Sequence, residues 1–378
     1  MNLLPFLLVG ISAFSLPLIP ATLLAQDTIS KEHQRAPSTD APGSKTYDRE
    51  EFNELFLEIM GLVDTAPEQA LEQMIKLAET GEPKALQQVG TFFRQGIGTA
   101  VDLPAAKLWY ERAIAKGRPY ALAPLARTEA ALGNGATAFD LLQRAIAEDM
   151  PGAERQLGLA HVDRQLGKHS NPQRGLEILM DLIDRGDDKA ARPLLLRFNW
   201  NRLPLPAPPR LVEQVERDGL RGDGPSAEAA LVYLTKAERY SRAIRARRTA
   251  LIGVDGIRDR ILASERMFLA ADTSPRSFFR EADRIIATTP REHFPRAALT
   301  AYRISPNAYV RILQRELRMQ GYYHGRINGW LTKSTIAAHQ RFCQDQGILP
   351  QCHEGPRKTD TIRAVTAALA NYAPLGLK

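Results

Sequence analysis

KALQQVGTFFRQGIGTAVDLPAAKLWYERAIAKG, residues Lys84 to Gly117, reads as two helices joined by a glycine loop. Pro83 precedes it and suits the first turn of a helix, where a missing N–H costs nothing. Leu86, Val89 and Phe93 follow at helical spacing. Gly96 and Gly98 stop this helix, because glycine takes positive φ without strain. Asp102 is placed to cap the second helix, with Pro104 in its first turn. Ala106, Trp109 and Ala113 mark the inward stripe, and Gly117 ends it. A lone helix pair cannot bury both apolar faces, so the unit demands neighbours of its own kind.

Those neighbours are present. Ala113–Gly117 (AIAKG) has counterparts in Leu77–Gly81 (LAETG), Ala145–Asp149 (AIAED) and Leu182–Gly186 (LIDRG). Each is followed by an alanine that opens the next helix: Ala85, Ala121, Ala153 and Ala190, spaced 36, 32 and 37 residues apart. A period in the thirties made of helix pairs marks a solenoid. Ala85, Gly90, Gly96, Gly98, Asp102, Ala106, Trp109, Tyr110, Ala113 and Gly117 together resemble the Sel1-like repeat family, relatives of the tetratricopeptide repeat. The flanking units match less fully, and the Gly133-Asn134-Gly135 break is shorter than the family loop. The resemblance implies a helical array that offers a concave surface to a protein partner.

The 378 residues suggest two or three domains. The formal net charge is +7, and the segment from Ala301 to Lys378 alone carries 11 Lys and Arg against 4 Asp and Glu. An anionic partner there is one reading of that field and solubility the other. Residues 1–25 carry no charged side chain and are rich in Leu, Ile and Val. They read as a secretory signal cleaved after Ala25, although the n-region lacks Lys and Arg and Leu23 is large for its position; an uncleaved anchor is the alternative. The expected location is periplasmic, with no membrane span once the signal is removed. The two cysteines, Cys343 and Cys352, are expected to pair with each other in an exported chain. A metal site with His339 and His353 is the rival, but the spacing fits no common zinc pattern.

Residues 26–46 are polar and read as a flexible leader. Tyr47 or Asp48 opens the fold, with Phe52, Leu55, Phe56, Ile59 and Leu62 on one helix face. Thr65 and Glu68 suggest a capping box for the next helix. Repeats are expected over 47–200, a Pro-rich linker over 201–210, and further helices over 211–304 that are either degenerate repeats or a separate bundle. The basic run Arg242–Arg248 reads as a solvated helix face.

Residues 305–378 differ. Leu313 and Leu317 share a helix that ends at Gly321; Gly325 and Asn328-Gly329 make tight turns. Thr332 or Lys333 starts a second helix with Ile336, Ala337 and Phe342 inward, and Thr359 or Thr361 starts a third through Val365 and Leu369. Leu313-Gln314, Leu317, Gly321-Tyr322, Gly325, Asn328-Gly329, Leu331, Thr335, Ala338, Phe342 and Gly347-Ile348 resemble the small three-helix peptidoglycan-binding domain. Asn328, Thr332, His339 and Cys343 depart from the family's Asp, Gly, Val and Gln. The resemblance implies a binding face on the turn between the first two helices, built by Tyr322, Tyr323, Arg326, Asn328 and Trp330. Read from the residues alone, Tyr322 and Trp330 also suit a small core, and Arg326 a solvated surface.

No metalloprotease helix, nucleophile elbow, Ser-x-x-Lys nucleophile or phosphate loop is found. The expected fold is therefore all-α: a Sel1-like helix-pair solenoid, a helical segment, and a small three-helix peptidoglycan-binding-like domain. The expected function is an exported, non-catalytic scaffold that binds an unidentified protein partner and peptidoglycan, with no cofactor, no metal and no nucleic acid. The alternative is a peptidoglycan hydrolase, or an activator of one, whose catalytic part lies in 211–304, where Ser264-Glu265 is the one candidate and a solvated Glu the plainer reading.

Overall fold

A computed structural model describes residues 47–237, 244–271 and 274–372. The expected signal and leader, 1–46, lie outside the described residues. No β-strand occurs among the described residues, and none of their helices is long and apolar enough to cross a membrane. Two compact units form, one ending at Asn171 and the other beginning at Pro172.

The first unit contains α1 (Arg49–Gly61), α2 (Pro67–Glu79), α3 (Pro83–Gln95), α4 (Leu103–Ala115), α5 (Leu122–Ala131), α6 (Gly135–Ala147) and α7 (Ala153–Val162). The Lys84–Gly117 stretch folds as its residues dictate. Gly96 and Gly98 turn the chain at φ of 72° and 69°. The Asp102 carboxylate accepts a hydrogen bond from the Ala105 N–H at 2.9 Å, which satisfies one of the orphan donors of the α4 N-terminus. Leu86, Val89, Phe93, Ala106, Trp109 and Ala113 are all buried. The repeat phase holds along the array, since Ala85, Ala121, Ala153 and Ala190 are each no more than 1% exposed. The capping box does not form. Ala66 is the N-cap of α2 and makes no side-chain cap, and Pro67 starts the helix instead.

The second unit contains α8 (Pro172–Asp184), α9 (Ala191–Asn199), α10 (Pro209–Leu220), α11 (Gly224–Ala237), α12 (Arg245–Leu251), α13 (Asp259–Ala270), α14 (Pro275–Thr288), α15 (Phe294–Ile304), α16 (Pro306–Met319), α17 (Lys333–Asp345), α18 (Leu349–Cys352) and α19 (Thr359–Ala370). Residues 201–208 run between helices without joining one. The α10–α11 pair then repeats the geometry of α5–α6 residue for residue. Gly222 turns the chain at φ 106° where Gly133 does so at 87°. The Asp223 N–H donates to the Asp218 carbonyl as the Asn134 N–H does to that of Glu129. A Cβ on Gly224 would lie 2.5 Å from the Asp255 carbonyl oxygen, and one on Gly135 would lie 2.3 Å from the Gly167 nitrogen. The next loop thus crosses the start of the helix at both places, which only glycine permits. Leu211, Ala227 and Leu231 are buried where Leu122, Ala138 and Leu142 are. Apart from the loop atoms facing the two glycines, each residue of the second set lies 89 positions after its counterpart, as Gly222 does after Gly133. Even the pairing across the loop recurs with altered chemistry: Phe139 stacks on His169 at 4.7 Å, and Glu228 is ion-paired with Arg258.

Arg248 is not on a solvated face. It is buried and ion-paired with Glu265, which is also buried. Thr235 Oγ1 donates to Glu265 Oε1 at 3.0 Å. Arg247 reaches Glu216, and Arg242 and Ala243 lie outside the described residues. From α13 onward a single core runs through Met267, Phe278, Phe294, Ala301, Leu313, Phe342, Ile362 and Leu369. Two of the last three long helices, α16 and α19, therefore pack against α15, and α17 packs against α16, so these helices do not keep a core apart from α15.

Candidate functional site

The turn between α16 and α17 is organised by a residue buried in α16. Gln314 is fully buried. Its Oε1 accepts from the N–H groups of Asn328 (3.0 Å) and Gly329 (2.9 Å), and its Nε2 donates to the Trp330 carbonyl (2.9 Å) and to Thr335 Oγ1 (3.0 Å). A buried amide whose polar atoms are all used costs little and specifies one conformation. Asn328 adds an Asx turn, its Oδ1 accepting from the Trp330 N–H at 2.9 Å. Three arginines pin the loop from outside. Arg311 donates to the Ile327 carbonyl at 2.8 Å while paired with Asp283 at 2.8 Å. Arg341 donates to the Tyr322 carbonyl at 2.9 Å, and Arg318 to that of Gly325.

The five residues singled out on this turn separate into two groups. Tyr323 is buried, and its hydroxyl donates to the Arg326 carbonyl at 2.9 Å. Tyr322 is half-buried, edge-on to Phe342 at 5.4 Å, with its hydroxyl donating to Asp345 at 3.0 Å. Burial and that carboxylate push the Tyr322 hydroxyl above its ordinary pKa. These two tyrosines build the turn. Trp330 stands 66% exposed, so the indole is not a core residue, and Arg326 and Asn328 are exposed beside it in the chain. A solvent-facing indole on a backbone fixed by Gln314 offers an apolar face for stacking. The Arg326 guanidinium offers a fork for carboxylates. Gln314 was visible in the sequence only as part of a motif. Its role as the anchor of the turn depends on burial, which the residue type does not announce.

Beneath the turn, α17 presents Thr335, Ala338, His339, Phe342 and Cys343 to the core, while Ile336 and Ala337 are half-buried. The inward face is rotated from the apolar expectation because Thr335 bonds Gln314 and His339 packs on the disulfide. Thr332 caps the helix, its Oγ1 accepting from the Thr335 N–H at 3.3 Å. Cys343 and Cys352 are joined, with Cα atoms 6.4 Å apart. The donor atoms of His339 and both cysteines lie within 4.8 Å of one another, but sulfurs bonded to each other are not thiolates free to hold a metal. His353 is exposed and hydrogen-bonded to the Pro350 carbonyl at 2.6 Å.

His339 is fully enclosed, and burial pushes its imidazole down to about 4. The neutral ring is thus the native form. Between pH 6.5 and 4 the unfolded chain binds a proton that the folded chain refuses, so stability falls as pH falls through that window, by about 1.4 kcal/mol per pH unit. His339→Val should remove this component. Urea denaturation at pH 7 and pH 5, with the disulfide intact, should show a smaller loss on acidification for the variant than for the parent. Equal losses would mean that the imidazole is already solvated.

Glu265 cannot meet a polymeric substrate from its place between Arg248 and Thr235. Burial raises its carboxyl pKa against the opposing charge of Arg248, but the group has no open face.

The architecture, then, is that of an all-helical repeat protein with a pinned turn between α16 and α17. The chain is similar to the Sel1 repeat protein from Oxalobacter formigenes in its crystal structure, at 18% identity over 61% of this chain and 96% of that one, with a TM-score of 0.37. It is also similar to a protective antigen present in uropathogenic Escherichia coli strains and displaying an SLR fold, at 14% identity over 84% of this chain and 80% of that one, with a TM-score of 0.36. No family model matches the sequence, and no curated protein does.

Proposed function

We propose that the chain is an exported, non-catalytic scaffold whose helix-pair array binds a protein partner in the periplasm and whose α16–α17 turn binds peptidoglycan. The observation that carries the wall-binding part is the exposed Trp330 on a backbone held by Gln314. An indole this exposed gains nothing from the fold, whereas sugar faces and stem-peptide carboxylates suit an indole and the neighbouring Arg326. The confinement of Glu265 favours the scaffold over the hydrolase reading.

The test uses the full chain, because the core shared by α15 and α19 would be cut by a boundary at Ser305. In co-sedimentation with purified sacculi, Trp330→Ala and Arg326→Ala should each shift the chain toward the supernatant. Loss of the charge-assisted contact of Arg326 corresponds to roughly 1.5–3 kcal/mol. A portion of the binding should survive near 1 M salt, where the Debye length is about 3 Å. Variants that sediment like the parent would remove the turn from the wall-binding account.

A further inference from the structure

A second charged surface lies on the middle of the second unit. Between Lys236 and Lys333 the chain has no lysine, and residues 245–300 hold 11 Arg against 7 Asp and Glu. Four of these arginines line one open groove of about 540 Å³: Arg245 from α12, Arg266 from α13, and Arg280 and Arg284 from α14. The sequence explains the placement. Phe278, Ala282, Ile285 and Ile286 are buried, which turns Ser277, Arg280, Glu281 and Arg284 outward at the i, i+3, i+4, i+7 positions of one helix face. Leu269 and Ala270 form the floor.

The four cations are not equivalent. Arg284 is held by Glu281 at 2.6 Å, and Arg245 donates to the Leu269 carbonyl at 3.0 Å. Arg266 and Arg280 are exposed and have no ion-pair partner among the described residues. Two guanidinium groups of the groove are therefore held and two are available, beside the apolar Leu269 and Ala270. A guanidinium pairs best with a planar, bidentate carboxylate or phosphate. The groove is in the size range of ligand sites and too broad for one inorganic anion. Among the described residues no aromatic side chain lines it, so none of them supplies the platform that sugars and nucleic-acid bases stack on.

We propose that this groove binds an acidic peptide segment of a partner protein, with its carboxylates on Arg266 and Arg280 and its apolar side chains on Leu269 and Ala270. The site is separate from the Trp330 turn and does not depend on wall binding.

The test is fluorescence anisotropy of the full chain with a labelled peptide of alternating Glu and Leu, at physiological ionic strength and without peptidoglycan. The peptide should bind saturably, and one of alternating Lys and Leu should not. The double variant Arg266→Ala/Arg280→Ala should bind about tenfold more weakly or worse, with an unchanged melting temperature. Arg280→Lys keeps the charge, loses the fork and should fall between; it carries the comparison if the double variant is unstable. Trp330→Ala should bind like the parent, which separates this site from the wall reading. Failure of the Glu-Leu peptide to bind, or equal binding by the arginine variants, would overturn the proposal. Displacement by polygalacturonate at a lower carboxylate concentration than by unlabelled peptide would also overturn it, by making a glycan the occupant.

Discussion

Glu265→Ala should destabilise the protein by about 3–5 kcal/mol, the cost of leaving a buried charge without its counterion. Arg248 and Glu265 are each about 2% exposed, and the Arg248 guanidinium also lies 4.9 Å from the centre of the Phe268 ring. Removing the carboxylate strands the cation in a place where water cannot replace the partner. The double substitution Arg248→Met/Glu265→Leu removes both charges and keeps the volume. It should recover most of the loss, because a buried ion pair adds little over a well-packed apolar pair. Urea denaturation of the two variants and the parent checks this. If Glu265→Ala falls within 1 kcal/mol of the parent, the pair is solvated and Glu265 returns as a reactive carboxylate.

Trp109→Ala should cost a similar amount, about 3–5 kcal/mol, by opening a cavity in the first unit. Trp109 is 3% exposed and belongs to the core that holds Met74, Leu86 and Phe93. Its ring also carries the Arg112 guanidinium at 4.2 Å, so truncation removes a cation–π partner as well as area. Leu108, one residue earlier, is 43% exposed. Leu108→Ala should change stability by no more than about 0.5 kcal/mol, as surface substitutions do. Thermal melts of both variants test the repeat phase directly: a reversed order would put the wrong face of α4 inward.

Much of the helix-pair array was legible because its punctuation is local. Gly96, Gly98 and Gly117 end helices through φ, Asp102 caps through one hydrogen bond, and Trp109 sits on the stripe that periodicity marks. The α10–α11 pair was harder to read. Its register with α5–α6 rests on Gly222 and Gly224 matching Gly133 and Gly135, while residues further on differ in type, Glu228 and Arg258 standing where Phe139 and His169 do. A pattern search sees the substitutions before it sees the conserved close approach. Within the basic run at Arg242–Arg248, Arg245 is exposed as expected, and Arg248 misled for another reason. Arginine is exposed by default, and only the fold brings Glu265 to Arg248 from a different helix. The turn residues were named by resemblance, and their division into builders and exposed groups needed burial: nothing in the residue types says that Tyr323 is inside and Trp330 outside.

The most direct test of the scaffold account incubates the parent chain with purified sacculi at low salt, then assays the pellet for protein and the supernatant for released wall fragments. The account predicts that the chain pellets with the sacculi and that no soluble sugar or peptide accumulates beyond the level without protein. A folded chain that stays in the supernatant would contradict the wall-binding claim, and fragments that accumulate with time would contradict the claim that the protein is not a hydrolase.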